Sequence, residues 1–156
     1  MLKIRPAERV SNSTQAPAVV LITRRATFAA AHVLRHEGWT DAENQRVFGA
    51  CSGDHGHNYV LEVTLGGVPE PGTGMVVNLK DLDRTMREAV IAKVDHKHLN
   101  RDVDFLEGVI PTAENLALAF WRELEPRLPG GRLERIRLVE SENNSVEIRR
   151  TAGVIE

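Results

Sequence analysis

The chain has 156 residues, 42% of them hydrophobic and 27% charged, with 20 Lys and Arg against 22 Asp and Glu for a formal net charge of −2. Those proportions fit one globular domain with an ordinary core, and the slight acidic excess gives no general attraction to nucleic acid or to an anionic membrane. The single cysteine, Cys51, excludes an internal disulfide, and no apolar run approaches the ~18 residues of a membrane span. Residues 1–16 lack the compact apolar stretch of a secretory signal, so the default compartment is the cytoplasm.

Residues 1–17 mix charge, Ser-Asn-Ser-Thr and two prolines without periodicity and read as a flexible extension; one domain is expected over 18–151. The β-branched run from Val19 through Phe28 predicts a long strand reaching about Ala31, whose end delivers His32. Tyr59, Leu61, Val63 and Leu65 alternate with Val60, Glu62 and Thr64, a second strand stopped by Gly66-Gly67. Continued backwards, the same period puts His55 and His57 on the face of Tyr59. The segment between the strands, about 22 residues, is long for a connecting loop and is expected to be functional or disordered. Asn78 is placed to cap a helix with the stripe Leu79, Leu82, Met86 and Val90, fading near Val94. A loop with Asp95-His96-Lys97-His98 follows. Thr112, after Pro111, caps a second helix with Leu116, Phe120 and Leu124 inside. Strands over Leu133–Glu140 and Val146–Arg150 flank a polar, Asn-rich connection. The order β-β-α-α-β-β predicts an α+β domain with a four-stranded antiparallel sheet and two helices on one face.

All six histidines lie between positions 32 and 98. His55 and His57 at i and i+2 on an extended chain project to one side ~7 Å apart, close enough to converge on one metal, and Gly56 leaves room for close approach. His32, at the end of the partner strand, is the natural third ligand. Three neutral nitrogens suit Zn²⁺ and leave a fourth position open, as catalytic zinc requires. Ordinary histidines near a turn are the plain alternative. Cys51 has three readings: a fourth ligand closing a structural site, a thiolate acting as base or nucleophile, or a small buried residue without chemistry. Asp95 beside His96 has the composition of a proton-transfer pair. Glu140 extends the apolar face of Ile136 and Leu138, where a carboxylate needs a partner such as ligand donors, unless the strand frays first and leaves it solvated. Thr112 is by default a helix cap.

Six ordered motifs carry a resemblance: Phe28-Ala-Ala-Ala-His32, Cys51-x-x-x-His55-Gly-His57-Asn58-Tyr59, Gly74-Met-Val-Val-Asn78-Leu79, Asp95-His96-Lys97-His98-Leu99-Asn100, Pro111-Thr112-Ala-Glu114-Asn115 and Val139-Glu140-Ser141. Over roughly residues 19–150 the chain resembles the 6-pyruvoyltetrahydropterin and 6-carboxytetrahydropterin synthases, which have the T-fold. The resemblance implies zinc on His32, His55 and His57, Cys51 as proton-abstracting thiolate, Asp95 and His96 as the other half of the proton-transfer apparatus, and Glu140, with Thr112 close by, anchoring the pterin. It implies 7,8-dihydroneopterin triphosphate as substrate and a homo-hexamer of two trimers whose sheets close into a barrel, with pockets between subunits.

Three residues separate Cys51 from His55, as in the carboxy enzymes of queuosine biosynthesis, whereas the pyruvoyl enzymes usually have five. The Glu140–Asn144 and Asn78-Leu79 segments look closer to the pyruvoyl branch. The cysteine spacing is weighted more, which makes 6-carboxytetrahydropterin, with acetaldehyde and triphosphate released, the expected product. A non-catalytic zinc-stabilised pterin-binding module, with Cys51 completing the metal shell, is the rival from another class. Arg24 and Arg25 are candidates for the triphosphate only through their place on the strand leading to His32.

Overall fold

The computed structural model describes residues 18–151; the expected N-terminal extension, residues 1–17, lies outside the described residues. Two long strands, β1 (Val20–His32) and β2 (His55–Gly67), pair antiparallel in an unbroken register from Val20 opposite Gly67 to His32 opposite His55. β4 (Arg132–Val139) adds to the other side of β2, and β5 (Ser145–Arg149) closes a hairpin with β4. Among the described residues the sheet has five strands rather than four. The extra one, β3 (Lys97–His98), runs parallel to β1 against Ala30 and Ala31, and two residues are too few for any periodicity to announce.

Side chains alternate across this sheet with period two, so one face is apolar. Ala26, Phe28 and Ala30 of β1, Tyr59, Leu61, Val63 and Leu65 of β2, and Leu133, Ile136 and Leu138 of β4 are buried there. Two helical segments, in contact with each other, cover this face. α4 (Ala113–Leu124) presents Leu116, Phe120 and Leu124, as expected, and Phe120 meets Phe28 edge-on at 5.9 Å while Phe28 stacks on Tyr59 at 4.8 Å. α2 (Leu79–Met86) continues through a π-turn (Arg87–Ile91) into α3 (Ala92–Val94). The wider turn rotates the helix face, so Ala89, Val90 and Ile91 are all buried. Leu79, expected at the head of the stripe, is instead exposed.

Thr112 caps α4, its Oγ1 accepting from the Asn115 N–H at 3.2 Å. Thr112→Ala is expected to lower unfolding free energy by about 1 kcal/mol, read from urea denaturation at constant m-value. Arg24 is engaged by Asp83 at 2.8 Å, and hydrogen bonds from Arg87 and Arg24 hold the Asp83 carboxyl below the usual range. Arg24 thus ties β1 to α2. No helix among the described residues is long and apolar enough to cross a membrane.

Candidate active site

The segment joining β1 to β2 is ordered. Thr40 and Glu43 form a reciprocal capping box that starts α1 (Asp41–Phe48), and a 3₁₀ turn (Gly49–Ser52) follows. Its only buried side chain is Asn44, whose amide donates to the carbonyls of His36, Trp39 and Thr40. That Thr-x-x-Glu signature was present in the sequence to be read. Cys51, half-buried with a free thiol, sits in the 3₁₀ turn, and its carbonyl accepts from the Leu34 N–H at 2.9 Å.

The hairpin register places His32 directly across from His55, and period two returns His57 to the same face. Gly56 between them is needed for close approach: a Cβ there would stand 3.1 Å from the Ala30 carbonyl oxygen. The ring centroids lie 4.4 Å (His32–His55), 5.1 Å (His32–His57) and 5.0 Å (His55–His57) apart, and one nitrogen from each falls within 4.8 Å of the others. Two carbonyls set the tautomers. His32 Nδ1 donates to the Pro111 carbonyl at 2.8 Å, and His55 Nδ1 donates to the Gly53 carbonyl at 2.8 Å. A carbonyl accepts only, so each neutral ring carries its lone pair on Nε2.

Those two Nε2 atoms face each other at 2.9 Å, a contact that only a proton or a metal ion between them relieves. His57 Nε2 is buried with no hydrogen-bond partner among the described residues. Burial, the largest cause, and the neighbouring His55 and His57 push His32 down to about 4, against the opposing pull of the Pro111 carbonyl, so its ring is neutral at pH 7. Three inward nitrogens, two of them oriented by backbone carbonyls, fit a divalent metal with an open fourth position. Cys51 is not part of this cluster, which disfavours the closed structural shell.

Glu140 follows the last residue of β4 and turns inward, as the alternation predicted. Its Oε1 lies 3.9 Å from the Nε2 of both His32 and His57. Glu140 and Thr112 line one cleft of about 470 Å³ with Leu34, Ala113 and Asn143. The neighbouring Tyr59 keeps its proton, since burial first and the Glu140 carboxylate second raise its pKa.

Asp95 and His96 stand elsewhere, on the outer edge of β1. The Asp95 carboxylate accepts from the Ala29 N–H at 2.9 Å, the main reason its pKa is lowered, and lies 3.0 Å from His96 Nδ1. His96 is 83% exposed by side chain and holds a left-handed φ of 56°, a conformation costly for a residue with a Cβ. Among the described residues no hydrogen bond or ion pair joins this pair to Cys51. Sequence reasoning left two other histidines without a role. His36 stacks on Trp39 at 4.8 Å, and His98 pairs through Nε2 with Asp54 at 2.8 Å.

Residues 21–151 match the model of the 6-pyruvoyl tetrahydropterin synthase family. The chain belongs to this family. Members of the 6-pyruvoyl tetrahydropterin synthase family are lyases, and the T-fold expected from the sequence is the one observed. The human 6-pyruvoyl tetrahydrobiopterin synthase is 42% identical over 127 residues, covering 80% of this chain and 88% of its own. A protein of Archaeoglobus fulgidus provisionally named 6-carboxy-5,6,7,8-tetrahydropterin synthase is 39% identical over 100 residues, covering 64% of this chain and 79% of its own. The 6-pyruvoyl tetrahydropterin synthase of Caenorhabditis elegans superposes with a TM-score of 0.81 at 33% identity, over 86% of this chain and 98% of its own.

Proposed function

We propose that this lyase takes 7,8-dihydroneopterin triphosphate, eliminates triphosphate and yields the 6-pyruvoyl product, using zinc on His32, His55 and His57. The observation that carries this reading is the convergence of three histidine ring nitrogens beside the cleft of Glu140 and Thr112. His32, His55 and His57 would hold the zinc ion, which would supply Lewis acidity to the substrate's side-chain hydroxyls. Glu140 accepts from the 2-amino and N3 donors of the pterin and orients the ring, with Thr112 at the cleft wall. Cys51, as thiolate, removes a carbon-bound proton from the substrate side chain. Asp95 holds and orients His96, which moves the second proton.

The preference for the pyruvoyl product departs from the expectation drawn from cysteine spacing. It rests on relatives named for that product, 42–43% identical across most of their length. One observation favours the carboxy product: the spacer from Cys51 to His55 is only Ser52, Gly53 and Asp54. Incubating the zinc-loaded protein with 7,8-dihydroneopterin triphosphate and weighing the products separates the readings. Triphosphate release without acetaldehyde is expected; acetaldehyde marks the carboxy enzyme, and no turnover contradicts both.

Glu140→Gln replaces one accepting oxygen by a donor facing the ring's own donors. It is expected to raise KM at least about 10-fold, the cost of one charge-assisted hydrogen bond, with zinc content unchanged. A homo-hexamer of two trimers is part of the same proposal. Among the described residues β1 has a strand partner on its outer edge only at Ala30 and Ala31 and β5 has none on its outer edge, and the exposed Asp95–His96 pair needs a second subunit to reach a thiol. A fully active monomer on analytical ultracentrifugation contradicts it.

A further inference from the structure

The segment between the thiol and the first His-Gly-His ligand is fixed at both ends. The Cys51 carbonyl is held by Leu34, and His55 is locked in register opposite His32 with its ring on the Gly53 carbonyl. Between them Ser52 bonds only locally among the described residues, its one hydroxyl proton shared between Gln45 Oε1 and the Gly49 carbonyl. Asp54 reaches a distant part of the chain: its Oδ1 accepts from His98 Nε2 at 2.8 Å across 44 positions. His98 is a rigid post. It is buried, its N–H donates to the Asp102 carboxylate at 2.9 Å, its carbonyl accepts from the N–H groups of Arg101 and Asp102, and β3 registers it against Ala31. Its buried Nδ1 has no hydrogen-bond partner among the described residues, a penalty that an apolar side chain filling the same space would not incur. The imidazole bears that penalty while its other nitrogen holds the spacer.

We infer that the Asp54–His98 pair is a positioning device for Cys51, fixing the three-residue spacer so that the thiol stands beside the metal ligands without joining them. The inference rests on Cys51 being the base. A thiolate is a strong zinc ligand, and a spacer anchored only at its ends lets it swing onto the ion and lose its reactive role.

Asp54→Ala and His98→Leu, in the zinc-loaded full-length protein, are each expected to lower kcat about 10- to 100-fold, with KM and zinc content within about twofold. Both remove one contact, so the double variant is no slower than the slower single one. His98→Gln, whose amide N–H can still reach Asp54, recovers most of kcat. Cobalt-loaded Asp54→Ala gains a thiolate-to-cobalt charge-transfer band that the wild type lacks, a readout independent of turnover. Asp54 is exposed, so its variant folds, as a melting curve verifies. Unchanged kcat in Asp54→Ala, losses that multiply in the double variant, or a wild-type cobalt spectrum overturn the pair's role and leave the base in place. Full turnover by Cys51→Ala overturns the base itself, and this role with it.

Discussion

Cys51→Ala is expected to bind zinc as tightly as the wild type, to melt at the same temperature and to lose about 10²- to 10⁴-fold in kcat, the range for removing a positioned general base. The zinc half of this expectation follows from geometry: the three histidine nitrogens cluster without the thiol. The stability half follows from environment, because Cys51 is half-buried in a turn held by backbone and hydroxyl hydrogen bonds, not by its sulfur. The competing structural role predicts the opposite pairing, with metal affinity and melting temperature falling together. Zinc content, a thermal melt and kcat on one preparation decide between them.

His57→Ala is expected to abolish turnover and to weaken zinc binding by more than about 100-fold, the upper end for losing an outer-shell partner, which a direct ligand exceeds. The same change is expected to leave the metal-free protein no less stable. His57 Nε2 is buried and has no partner among the described residues, so removing the ring relieves an unsatisfied polar atom. His32→Ala differs, because its fully buried ring donates to the Pro111 carbonyl and packs against Tyr59, and its loss costs stability even without metal. Equilibrium competition with a chelator gives the affinities, and urea unfolding of the metal-free proteins gives the stabilities. A His57→Ala protein that keeps its zinc removes this residue from the ligand set.

The hairpin that carries the histidines was legible because a half-buried strand writes its register as a period of two. Tyr59, Leu61, Val63 and Leu65 set the phase, and that phase carried backwards to His57 and His55. Glu140 followed from the same logic on β4. What escaped has equally physical causes. A π-turn shifts the helical phase by an amount no regular period contains, which buries Ala89, Val90 and Ile91 together, and Leu79 is exposed at the first position of α2. The two-residue β3 has no pattern of its own. α1 is almost entirely exposed and so lacks an apolar stripe, leaving only its capping box as a signal. The Asp54–His98 contact joins residues 44 apart through side chains alone, and nothing in either local sequence points to the other. The choice of product also escaped, since spacer length and whole-chain similarity to named relatives point to different reactions.

X-ray absorption at the zinc edge of the wild-type protein tests the central claim most directly, that three imidazoles hold the metal and the thiol does not. The predicted shell is three nitrogens and one oxygen at about 2.0–2.1 Å, unchanged in Cys51→Ala. A sulfur scatterer at about 2.3 Å in the wild type, or a protein that binds no zinc, would contradict the account.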